Sequence, residues 1–243
     1  MRVCSAGFGG ANYHLELSEY HPSFTKPIEF RAEYQSKPMT LIGHSKVPIS
    51  TDNSLPKNRS WRIPPNLMSQ LDPSQTYGLL AVEQAFERSL LNTEFIDKTK
   101  ISVISAAVTR TEKMESLIEN LQLKKIEHVF ESDFPEEANK IRAFRRSLIP
   151  LNETSCQSLN RMTSGRISNE WDLQGANFHI DADFASLGYA LKVAHLLLNT
   201  SRTSLIILLQ MEESPEQDPI LIRRKSIECW VLALESFAAK NSL

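Results

Sequence analysis

The pattern of apolar and polar positions in this chain predicts buried strands that alternate with amphipathic helices. Residues 101–108 and 203–210 are short apolar runs, as expected for strands that are buried on both faces. Further strands are predicted at 39–43, 177–181 and 227–234, and amphipathic helices at 111–123, 136–147 and 186–198. This alternation is typical of an α/β fold.

A helix is also predicted to begin at Pro73. Asp72 is a good N-cap, and proline is favoured at the first helical position. Apolar residues then fall on one helical face up to about Leu91, at Leu79, Val82, Phe86 and Leu90. The chain between 44 and 65 is polar and rich in turn formers, which indicates a surface excursion before this helix.

The first twenty residues contain a glycine cluster followed by a strand pattern. Tyr13, Leu15 and Leu17 alternate with polar residues, which predicts a strand with one buried face. The cluster at 7–10 lacks the Lys-Ser/Thr of a phosphate-binding P-loop, so that interpretation is disfavoured. Residues 21–38 carry three prolines and no periodicity, as expected for a linker.

Composition narrows the function classes. The 243 residues carry a net charge of −2, whereas nucleic-acid-binding domains usually have a basic excess. No apolar run approaches the roughly 20 residues that span a bilayer, and residues 1–10 do not resemble a signal peptide. Three widely spaced cysteines, Cys4, Cys156 and Cys229, are typical of reduced thiols, so we expect a cytoplasmic protein. From the charge and the lack of a membrane-spanning run, we expect neither nucleic-acid nor membrane partners.

The sharp turn between strand 177–181 and the helix at Ser186 is the candidate functional site. Enzymes of α/β folds often mount a nucleophile at such an elbow, next to a helix N-terminus. Ser186 gives a partial Gly-x-Ser-x-Gly pattern, but Phe184 replaces the first glycine, so a hydrolase is disfavoured. His179, Asp181 and Asp183 suggest a metal site but are too few ligands, and structural roles are favoured.

A basic helix is a second candidate, as a docking site for an acidic partner. Residues 136–147 carry Lys140, Arg142, Arg145 and Arg146, and Lys124 and Lys125 lie nearby. A solvated face is the alternative and favoured interpretation, because acidic residues balance these charges, at Glu131, Asp133, Glu136 and Glu137.

Two motifs carry a resemblance to a known family. The first comprises Gly165-Arg166-Ile167-Ser168 as a turn, Asp172-Leu173-x-Gly175, and a strand that ends at Asp181; it resembles the nucleophile region of the β-ketoacyl synthases (ketosynthases) of the thiolase fold. The second, 7–14, is similar to the Gly-Phe-Gly-Gly-x-Asn-x-His signature that closes a ketosynthase, and 71–75 resembles the family's Met-Asp-Pro-Gln-Gln element. The chain is most similar to the ketosynthase/chain-length-factor region of polyunsaturated-fatty-acid and polyketide synthases.

The resemblance implies an incomplete thiolase-like domain. Residues 1–20 correspond to the C-terminal tail of one ketosynthase, 21–38 to a linker, and 39–243 to the N-terminal half of a second ketosynthase-like domain. When the family pattern is aligned with this sequence without a gap, Phe184 falls at the position of the nucleophilic cysteine. The two histidine motifs of the family are not found at the required places, so no catalytic residue is assigned. Phe8 and Phe184 are expected to line the acyl tunnel.

The resemblance therefore implies a non-catalytic, chain-length-factor-like part of a multidomain synthase. Such a part would pair with a ketosynthase domain in a pseudo-dimer, and the family substrate would be acyl-phosphopantetheine on an acyl carrier protein; no bound cofactor or metal is expected. One alternative is an active 3-oxoacyl-[acyl-carrier-protein] synthase whose cysteine and histidines lie on a partner domain or chain. Another is a degraded gene remnant. Whether the chain belongs to an active enzyme stays open.

Overall fold

The computed structural model describes residues 2–6, 12–16, 36–49, 61–68, 71–89, 96–107, 112–152, 155, 159–183, 185–200, 202–215 and 222–241. Phe8, Phe184 and Cys156 lie outside these residues, and so does the linker predicted at 21–38, apart from its last three residues. The predictions that rest on Phe8 and Phe184 therefore stay predictions.

The described residues form strands and helices in a mixed order. The strands are β1 (Arg2–Ala6), β2 (Asn12–Glu16), β3 (Met39–Pro48), β4 (Ile101–Ala106), β5 (Asn177–Ile180), β6 (Leu205–Pro215) and β7 (Ile222–Leu234). The helices are α1 (Pro65–Met68), α2 (Pro73–Arg88), α3 (Glu112–Phe130), α4 (Pro135–Arg145), α5 (Thr163–Glu170), α6 (Ser186–Leu198) and α7 (Glu235–Asn241). The α/β class predicted from the sequence is confirmed.

A five-stranded mixed sheet forms the centre, in the order β3-β7-β6-β4-β5. β4 runs parallel to both β5 and β6, whereas β7 runs antiparallel to β6 and β3. All six residues of β4 are buried, which confirms the prediction from its continuous apolar run. The carboxyl ends of three parallel strands consequently meet at one edge of the sheet.

Helices cover both faces of this sheet. Alternate residues of β4 serve the two sides, because Val103 packs in one apolar cluster and Ile104 in the other. α2 and α5 contribute to the first cluster, for example through Leu79 and Ile167, which are fully buried. α6 contributes to the second through Ala190, Ala194 and Leu198. The small alanines allow this helix to lie close to the sheet.

The start of α2 follows the sequence prediction. Asp72 has an extended conformation, and its side chain accepts a hydrogen bond from the amide of Ser74, at 2.9 Å between Oδ1 and N. Pro73 occupies the first helical turn. The helix itself ends at Arg88, slightly earlier than the predicted end near Leu91.

Two predictions about local structure are wrong. Residues 165–168, expected in a turn, lie within α5, whose Ile167 and Ser168 are buried against the neighbouring elements. β3 continues to Pro48 rather than ending at Gly43, because Ser45 and Val47 face the core while His44 and Lys46 face outwards. A polar residue at an inward position concealed this alternation in the sequence.

Some elements are longer than predicted. α3 continues to Phe130, and β6 and β7 extend towards each other as an antiparallel pair up to Pro215 and Ile222. A second, two-stranded sheet pairs β1 with β2, with Val3 opposite Leu15. The strand predicted from Tyr13 onwards is thus confirmed, whereas β1 had no clear pattern.

Candidate functional site

The elbow between β5 and α6 has a strained backbone. Asp183 has a φ of 48°, in the left-handed region that aspartate tolerates better than most other side chains. Its amide lies 3.4 Å from Oδ1 of Asp181, which follows the strand directly. The helix then begins at Ser186, as predicted. The described residues on either side of 184 thus form a turn that leads into the amino end of α6.

Ser186 holds this turn closed. Its Oγ donates a hydrogen bond to the carbonyl oxygen of Asp183 at 2.6 Å and accepts one from the amide of Ala182 at 2.9 Å. The residue is buried, with 5% of its surface exposed. The hydroxyl is thus committed to two backbone groups, which argues against Ser186 as a nucleophile.

A small cavity of about 90 Å³ lies beside the elbow. It sits at the carboxyl end of β4 and against β6, and open α/β sheets characteristically bind ligands at this edge. Asp183 and Ser186, on either side of position 184, both contribute to its wall. The lining is otherwise mostly apolar: Ala106, Ala107, Leu187, Gln210 and Met211.

His179 and Asp181 contact neighbouring parts of the fold. Nδ1 of His179 lies 2.9 Å from Oγ of Ser105, and Ser105 is completely buried in β4. Asp181 contacts the turn instead. The described part of the chain contains no group of three or more histidine, cysteine, aspartate or glutamate side chains placed to hold a metal ion.

Cys229 is the cysteine whose side chain the structure describes, and it is fully buried in β7. Burial in apolar surroundings raises the pKa of its thiol far above the usual range, because the charged thiolate loses its hydration. This thiol is neutral at physiological pH and inaccessible to a substrate.

Comparisons with known proteins identify the family. Residues 24–208 match the sequence profile described as beta-ketoacyl synthase, N-terminal domain. The chain belongs to the β-ketoacyl synthase family. A comparison with curated proteins gives no match.

Solved ketosynthase structures share the fold at low sequence identity. A β-ketoacyl synthase from Burkholderia phymatum STM815 is 14% identical, with a TM-score of 0.58 over 85% of this chain and 61% of its own. The PfaC keto synthase-chain length factor is 16% identical, with a TM-score of 0.59 over 97% of this chain and 33% of its own.

A third structure contains a bound carrier protein. AntDE:AntF, a type II PKS acyl-carrier protein in complex with its ketosynthase, is 10% identical, with a TM-score of 0.56 over 84% of this chain and 65% of its own. This chain therefore spans less than two thirds of the length of the ketosynthases that it resembles. Across the described residues, none of the helices has the length and apolar character needed to cross a membrane.

The ketosynthase motifs at 71–75 and 165–168 meet in a buried polar network. Gln75 is fully buried; its Nε2 donates to the carbonyl of Leu159 at 2.8 Å, and its Oε1 accepts from Nε of Arg166 at 3.1 Å. Burial lowers the pKa of Arg166. Oγ of Ser74 lies 3.2 Å from Oγ1 of Thr163. The sequence suggested both motifs but not this contact between them.

Gly175, the glycine of the ketosynthase Asp-Leu-x-Gly element, allows two backbones to touch. A Cβ atom at this position would lie 2.2 Å from the carbonyl oxygen of Ile101. Adjacent hydrogen bonds fix the approach, since the amide of Gln174 donates to Lys98 and that of Val103 to Ala176. This motif thus sets the packing of the chain that leads into β5 and the elbow.

The basic helix predicted as a docking candidate is α4, and its arginines face α3. Nε and Nη2 of Arg142 donate to Glu127 and Glu131, each at 2.6 Å. Arg145 pairs with Glu127 as well, and its Nε donates to Oδ1 of Asn120 at 2.8 Å. The hydrogen bond from Arg145 and the attraction of both arginines lower the pKa of Glu127. These contacts favour the interpretation of balanced charges over an anion-binding surface.

Proposed function

We propose that this chain is a non-catalytic, chain-length-factor-like part of a polyunsaturated-fatty-acid or polyketide synthase. One observation supports the proposal: the residue that the family pattern aligns with the nucleophilic cysteine is phenylalanine, Phe184, and it follows the left-handed Asp183 in the sequence. A phenyl ring has no atom that can attack a thioester. The elbow therefore supports an architectural role better than a condensation reaction.

The surroundings of the elbow support the same proposal. Ser186 is the nearest hydroxyl on α6, and its oxygen is held by the backbone of Ala182 and Asp183. Cys229 is buried in β7 and carries a thiol with a raised pKa. Neither side chain substitutes for the thiolate that a ketosynthase uses to accept an acyl group.

Phe184 and Phe8 are proposed to shape the acyl tunnel. The described cavity near Asp183 has Ala106, Leu187 and Met211 in its wall. In this proposal, the phenyl ring of Phe184 would add apolar bulk to the tunnel. The ligand of the assembled protein would be the acyl chain that phosphopantetheine presents on an acyl carrier protein. We retain the proposed boundaries, with a ketosynthase tail at 1–20, a linker at 21–38 and the silent domain from 39.

A ketosynthase domain is the proposed partner of this silent domain. β5 forms one edge of the five-stranded sheet, and among the described strands β4 alone pairs with it. Such an edge presents backbone groups that a strand of another chain can bind. Pairing of two related domains would complete a pseudo-dimer and enclose the acyl tunnel.

Intact-protein mass spectrometry after incubation with an acyl-pantetheine thioester tests the proposal. The expected result is no acyl adduct on the wild-type chain, with Cys4→Ala, Cys156→Ala and Cys229→Ala variants as controls. A stoichiometric adduct that disappears in one of these variants would show that the chain accepts acyl groups and would overturn the assignment of position 184.

One observation favours the alternative of an active assembly. A left-handed residue, Asp183, precedes α6, and a cavity adjoins it; both features are compatible with a site for an acyl chain. In this alternative, the cysteine and both histidines come from a partner domain. Both proposals predict condensing activity only when this chain and a ketosynthase domain are present together. Loss of that activity on Phe184→Ala alone, with pairing intact, would favour a direct role in the active tunnel.

A further inference from the structure

The segment 36–38 is held where the chain enters the sheet. The carbonyl oxygen of Lys37 lies 3.0 Å from Nε2 of His195, and the amide of Lys37 donates to Oδ1 of Asn199 at 3.1 Å. The amide of Glu235, at the start of α7, donates to the carbonyl of Pro38 at 3.1 Å. Backbone groups of two consecutive residues are thus bound by the end of α6 and the start of α7.

The contact with Lys37 indicates which ring nitrogen of His195 acts as the donor. A carbonyl oxygen only accepts hydrogen bonds, so Nε2 must carry a hydrogen to bind Lys37. Oγ of Ser36 lies 3.1 Å from the same nitrogen and adds a second contact to it. His195 is in the last turn of α6, four residues before Asn199, and both side chains therefore project on the same side of the helix end.

Asn199 uses both ends of its amide. Its Nδ2 donates at 2.9 Å to the carbonyl of His195, near the carboxyl end of the helix, and this carbonyl also accepts from the backbone amide of Asn199 at 3.2 Å. Its Oδ1 is then directed at Lys37. Asn241 in α7 makes the same intrahelical bond, to the carbonyl of Phe237 at 2.8 Å, and so provides a matched position for comparison.

We propose that His195, Asn199 and the amide of Glu235 form a clamp that fixes 36–38 as one cooperative unit. The clamp lies immediately before β3, whose first residue Met39 pairs with Leu234 at the end of β7. It therefore ties the path of the preceding chain to α6, the helix of the elbow. This inference concerns the folded chain itself and does not depend on the proposed function.

Hydrogen–deuterium exchange at the Lys37 amide tests the clamp. Ser36, Lys37 and Pro38 are exposed to solvent, so burial contributes little protection to the Lys37 amide. Slow exchange of this amide therefore reports its hydrogen bond to Asn199. We expect Asn199→Ala to speed its exchange at least tenfold. Asn199→Asp keeps the accepting oxygen and should leave exchange within about twofold of wild type, and Asn241→Ala should leave it unchanged.

His195→Ala distinguishes a cooperative clamp from independent contacts. His195 does not bind the Lys37 amide, yet its removal should also speed exchange there at least tenfold, because release of the carbonyl frees the whole segment. Unchanged exchange in His195→Ala, or in Asn199→Ala, would overturn the proposal. The amides of β4, which is fully buried, provide the internal measure that each variant is folded.

Discussion

Substitution of Gly175 by alanine should destabilise the domain far more than its small change in volume suggests. The new Cβ would lie 2.2 Å from the carbonyl oxygen of Ile101 and 2.6 Å from its carbon. Both atoms belong to the backbone, so no side chain can rotate away. The backbone segments at Gly175 and Ile101 would have to move apart by roughly 1 Å to reach ordinary van der Waals contact.

The cost follows from the contacts on either side. Overpacking of a close approach costs about 1–3 kcal/mol, and each strained backbone hydrogen bond adds about 0.5–1.5 kcal/mol. The bonds at risk join Gln174 to Lys98 and Val103 to Ala176, at 2.9 and 2.8 Å. We therefore expect Gly175→Ala to lower the free energy of unfolding by about 3 kcal/mol.

Gly188→Ala is the matched control. Gly188 lies in α6, and an added Cβ would meet nothing within 4 Å. Because glycine inside a helix costs about 0.5–1 kcal/mol relative to alanine, this variant should be more stable than wild type. Urea unfolding followed by tryptophan fluorescence measures both variants. Equal stabilities for Gly175→Ala and wild type would refute the inferred backbone contact.

Three further predictions concern the helices and the elbow. Gln75→Leu should cost about 1–3 kcal/mol in urea unfolding, because it leaves the Leu159 carbonyl and Arg166 without the buried partner they now have; an unchanged midpoint would contradict this. Glu127→Gln should destabilise the α3–α4 pair at neutral pH. The pKa of Glu127 is lowered in the folded chain, so its contribution to stability is present above the unfolded pKa and is lost as the pH falls through the folded one. The gap in thermal midpoint between variant and wild type should therefore narrow progressively as the pH falls below about 4, and a gap that stays constant with falling pH would contradict the ion-pair account. Asp183→Ala should be less stable than Asp183→Gly by about 1 kcal/mol, because only glycine adopts a φ of 48° without steric cost, and equal stabilities would argue against the left-handed turn.

The elements with a continuous local pattern could be predicted from the sequence, and those shaped by distant contacts could not. β4 and α6 were recognisable because their apolar spacing matches their burial. In β3, by contrast, Ser45 occupies an inward position because its Oγ donates to the carbonyl of Ala81 in α2 at 2.6 Å. A polar side chain with a buried partner breaks the period-two pattern that sequence analysis relies on.

The candidate site was partly predictable for the same reason. The strand, the turn and the start of α6 are local, so the elbow could be placed from 177–186 alone. The hydrogen bond from Ser186 to the carbonyl of Asp183 and the one from Arg166 to Gln75 form between atoms that come together only in the folded chain. Sequence spacing suggested these residues without giving their partners.

Comparison of the wild-type chain with Phe184→Cys tests the central claim most directly. Both proteins are incubated with the same acyl-pantetheine thioester, and their masses are measured by intact-protein mass spectrometry. Phe184→Ser is the control that adds no thiol. We predict no adduct on wild type or Phe184→Ser and a single acyl adduct on Phe184→Cys, because the turn and the helix N-terminus favour a reactive thiolate at that position. An adduct on wild type would contradict the silent site, and an unmodified Phe184→Cys would contradict the retained elbow.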